Sequence, residues 1–503
     1  MTRRFALTML AAALLVLGAA PRATALNIEE FKKNLTIEKL DNGLTLIVYE
    51  RKTAPVVSFF TYVDVGSANE VNGITGLAHM FEHMAFKGTS KIGTKNYKAE
   101  VKAMAEVDRA YHALAAERDK LGGADEETLT ALKTKFKAAQ DNAGEYIATS
   151  EFDEIIERNG GAGLNAGTGA DSTVYMYALP ANKLELFAYL ESERFLDPVL
   201  REFYRERDVI QEERRMRTES SPFGRMFEQF VSVAYTAHPY GMPTVGYMSD
   251  LQRFTREDAK AFYAKNYVPA NITVVIVGDV NTKKSLPMLR KYFGRLPAGK
   301  KPAPVRTIEP RQIAEKTVVM PDASQPMYAE AYHRPAATHP DNAVYNAISD
   351  VLSSGRTSRL YRSLVRDKKI AATAAAFNGF PGDKYPTLML FFALPTPDSS
   401  NEQIKAAIRE EIERLKTEPV SDEELKMVKT KAKAGLIRSL QSNGGIASQL
   451  ATAHVQFGDW REIFNQVTKI EAVTAEDIMR VANETFVSTN RTVGMIVNDA
   501  AEL

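Results

Sequence analysis

Phe254-Thr255-Arg256-Glu257-Asp258, running on through Tyr267-Val268-Pro269-Ala270-Asn271-Ile272-Thr273-Val274, reads as a helix, a turn and a buried strand. Val473-Thr474-Ala475-Glu476-Asp477 through Phe486-Val487-Ser488-Thr489-Asn490-Arg491-Thr492-Val493 repeats it at a constant offset of 219 residues. In both copies a Thr stands at the N-cap, where its hydroxyl can accept from a free backbone N–H. The Glu and Asp that follow favour the positive end of a helix. Two similar units of separate origin would give the same pattern, but the gap-free register favours duplication. It predicts two halves of similar fold.

Between the copies, Pro297-Ala298-Gly299-Lys300-Lys301-Pro302-Ala303-Pro304 is a Pro/Lys-rich stretch expected not to pack. It divides the chain into a first half at 26–297, a linker at 298–312 and a second half at 313–503. The first half opens with strand-like runs at 44–48 and 56–63, continues with helical patterns, and returns to strands at 172–179 and 272–277. No strict strand–helix alternation runs through it, which predicts an α+β fold with largely antiparallel sheets. No Gly-rich phosphate loop follows a strand, which argues against parallel dinucleotide-type winding. From Lys102 to about Ile147, Met104, Val107, Tyr111, Leu114, Leu121, Leu129, Leu132, Phe136 and Ala139 fall at heptad-like spacing. With Gly122-Gly123 as the break, this segment reads as an inserted helical hairpin, a partner surface or a lid.

The 503 residues are 45% hydrophobic and 25% charged, with 64 basic against 63 acidic side chains and no cysteine. That composition supports real cores and excludes disorder. The balanced charge argues against a nucleic-acid binder. Without cysteine there is no disulfide scaffold, thiol nucleophile, iron–sulfur site or Cys-ligated zinc. Any metal must be held by His and carboxylates. Arg3 and Arg4, the apolar run from Phe5 to Ala20 and Ala23-Thr24-Ala25 read as a signal peptide, 1–25, cleaved near Ala25. An uncleaved anchor is the alternative. The mature chain is expected to be soluble and periplasmic or secreted.

Two of the seven histidines lie in His79-Met80-Phe81-Glu82-His83. On a helix, positions i, i+3 and i+4 share one face, so both imidazoles and the Glu82 carboxylate reach one volume. Two neutral imidazoles are good zinc ligands, and a carboxylate beside them can take a proton from an activated water. A pair of buried core histidines is the structural alternative. A third ligand is sought on the helix Glu206-Arg207-Asp208-Val209-Ile210-Gln211-Glu212-Glu213-Arg214-Arg215. Glu206 and Glu213 lie two turns apart along one face, so one can bind metal while the other hydrogen-bonds a ligating imidazole. Glu212 points aside, toward solvent. A simply solvated charged helix would carry the same spacing.

The motif continues as Gly76-Leu77-Ala78-His79-Met80-Phe81-Glu82-His83-Met84-Ala85-Phe86-Lys87-Gly88-Thr89. Leu164-Asn165-Ala166-Gly167-Thr168 with Asp171, Thr173 and Tyr175 follows, then His238-Pro239-Tyr240-Gly241, Pro269-Ala270-Asn271 and Val277-Gly278-Asp279. In these residues, over nearly the whole mature length, the chain resembles the pitrilysin/insulinase/mitochondrial-processing-peptidase family of inverted-motif zinc metallopeptidases. The resemblance implies a zinc endopeptidase with one Zn2+ held by His79, His83 and Glu213. Glu82 is then the general base, and Glu206 supports a ligating imidazole. Asn165 and Ala166 lie on an edge strand that pairs with substrate backbone. Two homologous α/β-roll domains are implied, the second without metal.

Three departures stand out. His83 and Glu213 are 130 residues apart, and the hairpin insert accounts for the excess. Gly169 stands where a Ser is common. The Arg and Tyr seven residues apart that steady a developing oxyanion in such enzymes are incomplete, because the step from Arg366 lands on Thr373. The family closes its chamber with four half-units, which implies a companion subunit lacking the zinc motif, with a homodimer as the alternative. A non-catalytic structural or chaperone-like subunit is the competing functional reading, and the intact Glu82 with both histidines argues against it.

Overall fold

The structure, a computed structural model, describes residues 28–498, so the leader read at 1–25 lies outside the described residues. The first half forms a six-stranded sheet of β1 (Leu35–Lys39), β2 (Thr45–Glu50), β3 (Val56–Val63), β4 (Ala162–Thr168), β5 (Thr173–Pro180) and β6 (Ile272–Gly278). The second half forms a five-stranded sheet of β7 (Lys316–Pro321), β8 (Met327–Arg334), β9 (Ala371–Phe380), β10 (Thr387–Pro395) and β11 (Arg491–Val497). Their orders are β1-β2-β6-β3-β5-β4 and β7-β11-β8-β10-β9. With β1 set aside, the two sheets have one topology. In each, the first and last strands of the half pair in parallel (β2 with β6, β7 with β11), and every other pairing is antiparallel.

The duplication extends to single hydrogen bonds. Thr255 and Thr474 each close a capping box with the Asp three residues on. Asn271 Nδ2 donates to the carbonyls of Asn266 and Asp64, and Asn490 Nδ2 donates to those of Thr485 and His333. In both halves this amide ties the helix end to the strand facing it.

The halves do not stack as separate bodies; each lends the other a helix. One face of the first sheet packs on helices of its own half, among them Leu77–Met84, Leu184–Leu196 and Arg256–Asn266. The other face, with Ile47, Phe60, Tyr62, Val275 and Val277, is covered by Ile446, Ala447 and Leu450 from the helix Asn443–Phe457. In return Met226, Phe230 and Ala234 of the helix Pro222–Ala234 cover Met327, Ala329, Leu388 and Ile496 of the second sheet. Cover on both faces explains why every residue of β6 is buried.

The exchanged helices are themselves a repeated pair, capped by Ser221 and Ser442, whose hydroxyls accept from Gly224 and Gly445 N–H at 3.1 and 3.0 Å. A Cβ at Gly224 or Gly445 would lie 2.2 Å from the Arg217 carbonyl or 2.1 Å from that of Ser439, so only glycine fits. The stretch expected not to pack is tied to the first half at Lys301, whose Nζ lies 3.0 Å from Asp64 Oδ2. Residues 297–313 carry no helix or strand, yet Glu309 accepts from the N–H groups of Thr236, Ala237 and His238 at 2.6–2.9 Å.

The insert consists of helices Tyr97–Arg118 and Glu126–Gly144, joined through Gly123 at φ +89°. Leu121 does not belong to its seam, because the first helix ends before it and the side chain is fully exposed. Nor does the insert stand free as a lid. Tyr111 and Phe136 pack on Tyr204, and the Arg207 guanidinium lies 4.6 Å from the Tyr111 ring centre. The insert therefore braces the back of the helix Phe203–Arg214, whose other side carries Glu206 and Glu213.

Candidate active site

The helix Leu77–Met84 begins at Gly76, held at φ +95°, where a Cβ would lie 2.8 Å from the Val245 carbonyl. Glycine brings no capping side chain, and Glu70 supplies the cap from the preceding loop. Its carboxylate accepts from Gly76 N–H at 2.8 Å and Ala78 N–H at 2.6 Å. Leu77, Ala78, Met80, Phe81 and Met84 face the core, so His79 and His83 are carried on the remaining face.

Helix Phe203–Arg214 lies against it and brings Glu213 between the two imidazoles. His79 Nε2 and His83 Nε2 each stand 3.6 Å from a different oxygen of Glu213. Donors around a tetrahedral zinc, with bonds of about 2.0–2.2 Å, stand about 3.3–3.5 Å apart. The donor set therefore fits a zinc ion with little movement, and all three ligand atoms lie within 4.8 Å of one another. Burial lowers the His79 pKa against the pull of Glu213, which favours the neutral, ligating imidazole.

The outer side of His83 is also held. Its Nδ1 faces Glu206 Oε2 at 3.4 Å, and the other oxygen of Glu206 takes the Lys87 ammonium. Burial works to raise Glu206, but the hydrogen bonds from His83 and Lys87 outweigh it and keep the carboxyl below its usual range. The motif alone assigns Lys87 no role; its place four residues after His83, one turn along, is the signal. Arg217 stands likewise four residues after Glu213, and its guanidinium lies 2.5 Å from Glu213 Oε1.

Glu82, half-buried, lines the same cleft as both histidines and Glu213, together with Ala166, Gly167, Thr168, Arg217, Thr218, Thr244 and Val245. β4 is the edge of its sheet, bonded only to β5, with its other backbone edge open. Ala166 faces the cleft and Asn165 is exposed beside it. Glu212 is 67% exposed and pairs only with Arg215. Thr373 lies exposed on β9, and the Arg366 guanidinium is forked onto Asp367 at 2.6 and 3.0 Å.

The cap on the histidine helix makes a prediction. Burial pushes the Glu70 carboxyl up to about 8, while its two N–H donors pull the other way. A carboxyl whose pKa is higher folded than unfolded contributes stability below the unfolded value and loses it as pH rises through the folded one. Urea unfolding of the wild type and of Glu70→Gln should therefore show a stability gap that narrows from pH 5 to pH 8. A gap that widens with pH would refute the assignment.

The family model for insulinase (peptidase family M16) matches residues 46–116, and the model for the peptidase M16 inactive domain matches residues 253–432. The chain is 32% identical over 463 residues to the zinc protease PqqE of Helicobacter pylori, covering 90% of each chain. The crystal structure of a protease from Helicobacter pylori matches at TM-score 0.76 and 29% identity, covering 92% of this chain and 99% of that one. The periplasmic protease PqqL from Escherichia coli shares the fold at TM-score 0.67 and 19% identity, and 93% of this chain corresponds to 48% of that longer one. Two sheets of one topology, a His-x-x-Glu-His helix in the first half and a relative this similar over nine-tenths of both chains place the protein in the insulinase/pitrilysin family of M16 peptidases.

Proposed function

We propose that this chain is a zinc-dependent endopeptidase that hydrolyses peptides or small unfolded proteins laid along the open edge of β4. The observation that carries the reading is the convergence of His79, His83 and Glu213 in one cleft with Glu82 and that edge. His79, His83 and Glu213 would hold the ion, which when bound polarises a carbonyl and acidifies water. Glu206 and Lys87 hold the His83 ring from behind, fixing which nitrogen faces the cleft. Glu82 takes the proton of the attacking water and returns it to the leaving amine. Asn165 and Ala166 hold the substrate backbone as an added strand, so that side chains alternate toward and away from the cleft.

The inactive-domain match covers residues 253–432 and so leaves out His79, Glu82, His83, Glu206 and Glu213, and the histidine motif lies within the insulinase match at 46–116. This favours catalysis over a purely structural role. In the proposed organisation the halves are joined by the linker at 298–312, the chain acts in the periplasm after leader removal, and it works beside a companion subunit. Among the described residues no helix is long and apolar enough to cross a membrane.

Removing the metal with a chelator should abolish peptide hydrolysis, and zinc should restore it. Glu213→Gln, which replaces an anionic ligand by a neutral one, should lose zinc and activity together, while Glu212→Gln should be nearly silent. Full zinc occupancy in Glu213→Gln alongside loss in Glu212→Gln would move the third ligand by one residue.

A further inference from the structure

From the last residue of the carboxylate helix, Arg214, into the helix lent to the second half lie four arginines, and three are committed. Arg214 is forked onto Glu228 at 2.8 and 2.9 Å, Arg215 pairs with Glu212, and Arg225 pairs with Asp322. Arg217 differs. It sits in the π-helical turn Arg215–Glu219 that follows the helix carrying Glu213, and its side chain is 74% exposed. Its one ion pair is a single Nη1 contact with Glu213 Oε1. Of the residues lining the cleft it alone carries a fixed positive charge, and Ala166, Gly167 and Thr168 of the open strand line the same cleft.

An i,i+4 ion pair whose cation is largely solvated adds little to stability, so stability alone does not account for this placement. A guanidinium has five donors in a fixed fork, and one is engaged here. Glu213 already faces two imidazoles, and any cation held among those three ligands would compete with Arg217 for the same carboxylate. The remaining donors are then free for a peptide lying along β4, whose Ala166, Gly167 and Thr168 line the same cleft. The group that fits a free guanidinium fork is a carboxylate.

We infer that Arg217 is a specificity-determining residue that selects peptides with an acidic side chain close to the scissile bond. The inference rests on the peptidase reading above and deepens it. A Glu carboxylate gains charge-assisted hydrogen bonds that the Gln amide of the same shape does not, which corresponds to a preference of roughly tenfold at a partly exposed site.

The test uses the zinc-loaded full chain and a mixed peptide library, with cleavage sites read by mass spectrometry. Acidic residues should be enriched within two positions of the cut for the wild type, the enrichment should vanish in Arg217→Gln, and Arg217→Glu should favour Lys and Arg instead. Binding supplies a second readout. Zinc-loaded Glu82→Gln should bind Glu-containing peptides about tenfold tighter than their Gln counterparts, and adding Arg217→Gln should erase that ratio. A library cut without acidic preference, or with a preference unchanged in Arg217→Gln, overturns the inference while leaving the peptidase intact. A library left wholly uncut by the wild type overturns the peptidase reading, and this inference with it. Zinc content is measured in parallel. Loss of zinc and of activity on all peptides alike in Arg217→Gln would make Arg217 a support for Glu213 and overturn the specificity role.

Discussion

Glu82→Gln is expected to lower peptide hydrolysis by about 10²–10⁴-fold while zinc content stays at the wild-type level. The two halves of this expectation have separate causes. A glutamine amide has the shape of the carboxylate but cannot take up a proton, so the attacking water loses its base. Metal retention follows from geometry, because the three donors that face one another are His79, His83 and Glu213, and Glu82 is not among them. The contrast with the histidines is the sharper form of the test: His79→Ala or His83→Ala should lose metal and activity together. Wild-type turnover in Glu82→Gln at full zinc would remove the general-base role. Loss of zinc in that variant would instead make Glu82 a ligand and displace Glu213 from the cluster.

The histidine cluster was legible because its chemistry is local. Spacing within a helix decides which side chains share a face, and His79, Glu82 and His83 needed nothing beyond that. Glu206 and Glu213 were legible as a pair for the same reason, while which of them meets the metal was taken from the family resemblance. The 219-residue repeat announced two halves, and the sheets follow it down to the amides of Asn271 and Asn490. What was not legible was how the halves pack. The Ser221 and Ser442 caps with their obligate glycines do recur, but nothing in an amphipathic pattern says whose sheet a helix will cover. Glu70 escaped for a related reason, since its partners are backbone N–H groups that have no sequence signature. The best signal was indirect: a glycine at the start of a functional helix leaves its cap to be found elsewhere. The hairpin showed its own seam, but its packing on Tyr204 depends on a contact across about a hundred residues of sequence.

The isolated chain is expected to be a feeble peptidase whose activity rises on addition of a companion subunit that lacks the zinc motif. Among the described residues, one half brings together the His79, His83 and Glu213 group and the other brings together no such group. A second copy of this chain could serve as the other pair. What favours a different partner is the oxyanion-steadying Arg and Tyr that the family resemblance implies. Where a Tyr would complete the donor pair stands Thr373, exposed on β9, and Arg366 has its guanidinium forked onto Asp367. An identical copy repeats that deficiency, whereas a companion of the same fold can carry the Arg and the Tyr intact. Removing one such donor costs about 2.7–4 kcal/mol, or 10²–10³ in kcat. Adding the co-purifying companion should therefore raise kcat by a factor of that order, with a heterodimer mass in solution. Restoring the donor within this chain gives an independent arm, because in a dimer of identical copies Thr373→Tyr should recover part of the deficit without any companion. If the chain alone forms a homodimer at full activity, unchanged by any companion and unchanged by Thr373→Tyr, the donor lies elsewhere and the hetero-pair is wrong.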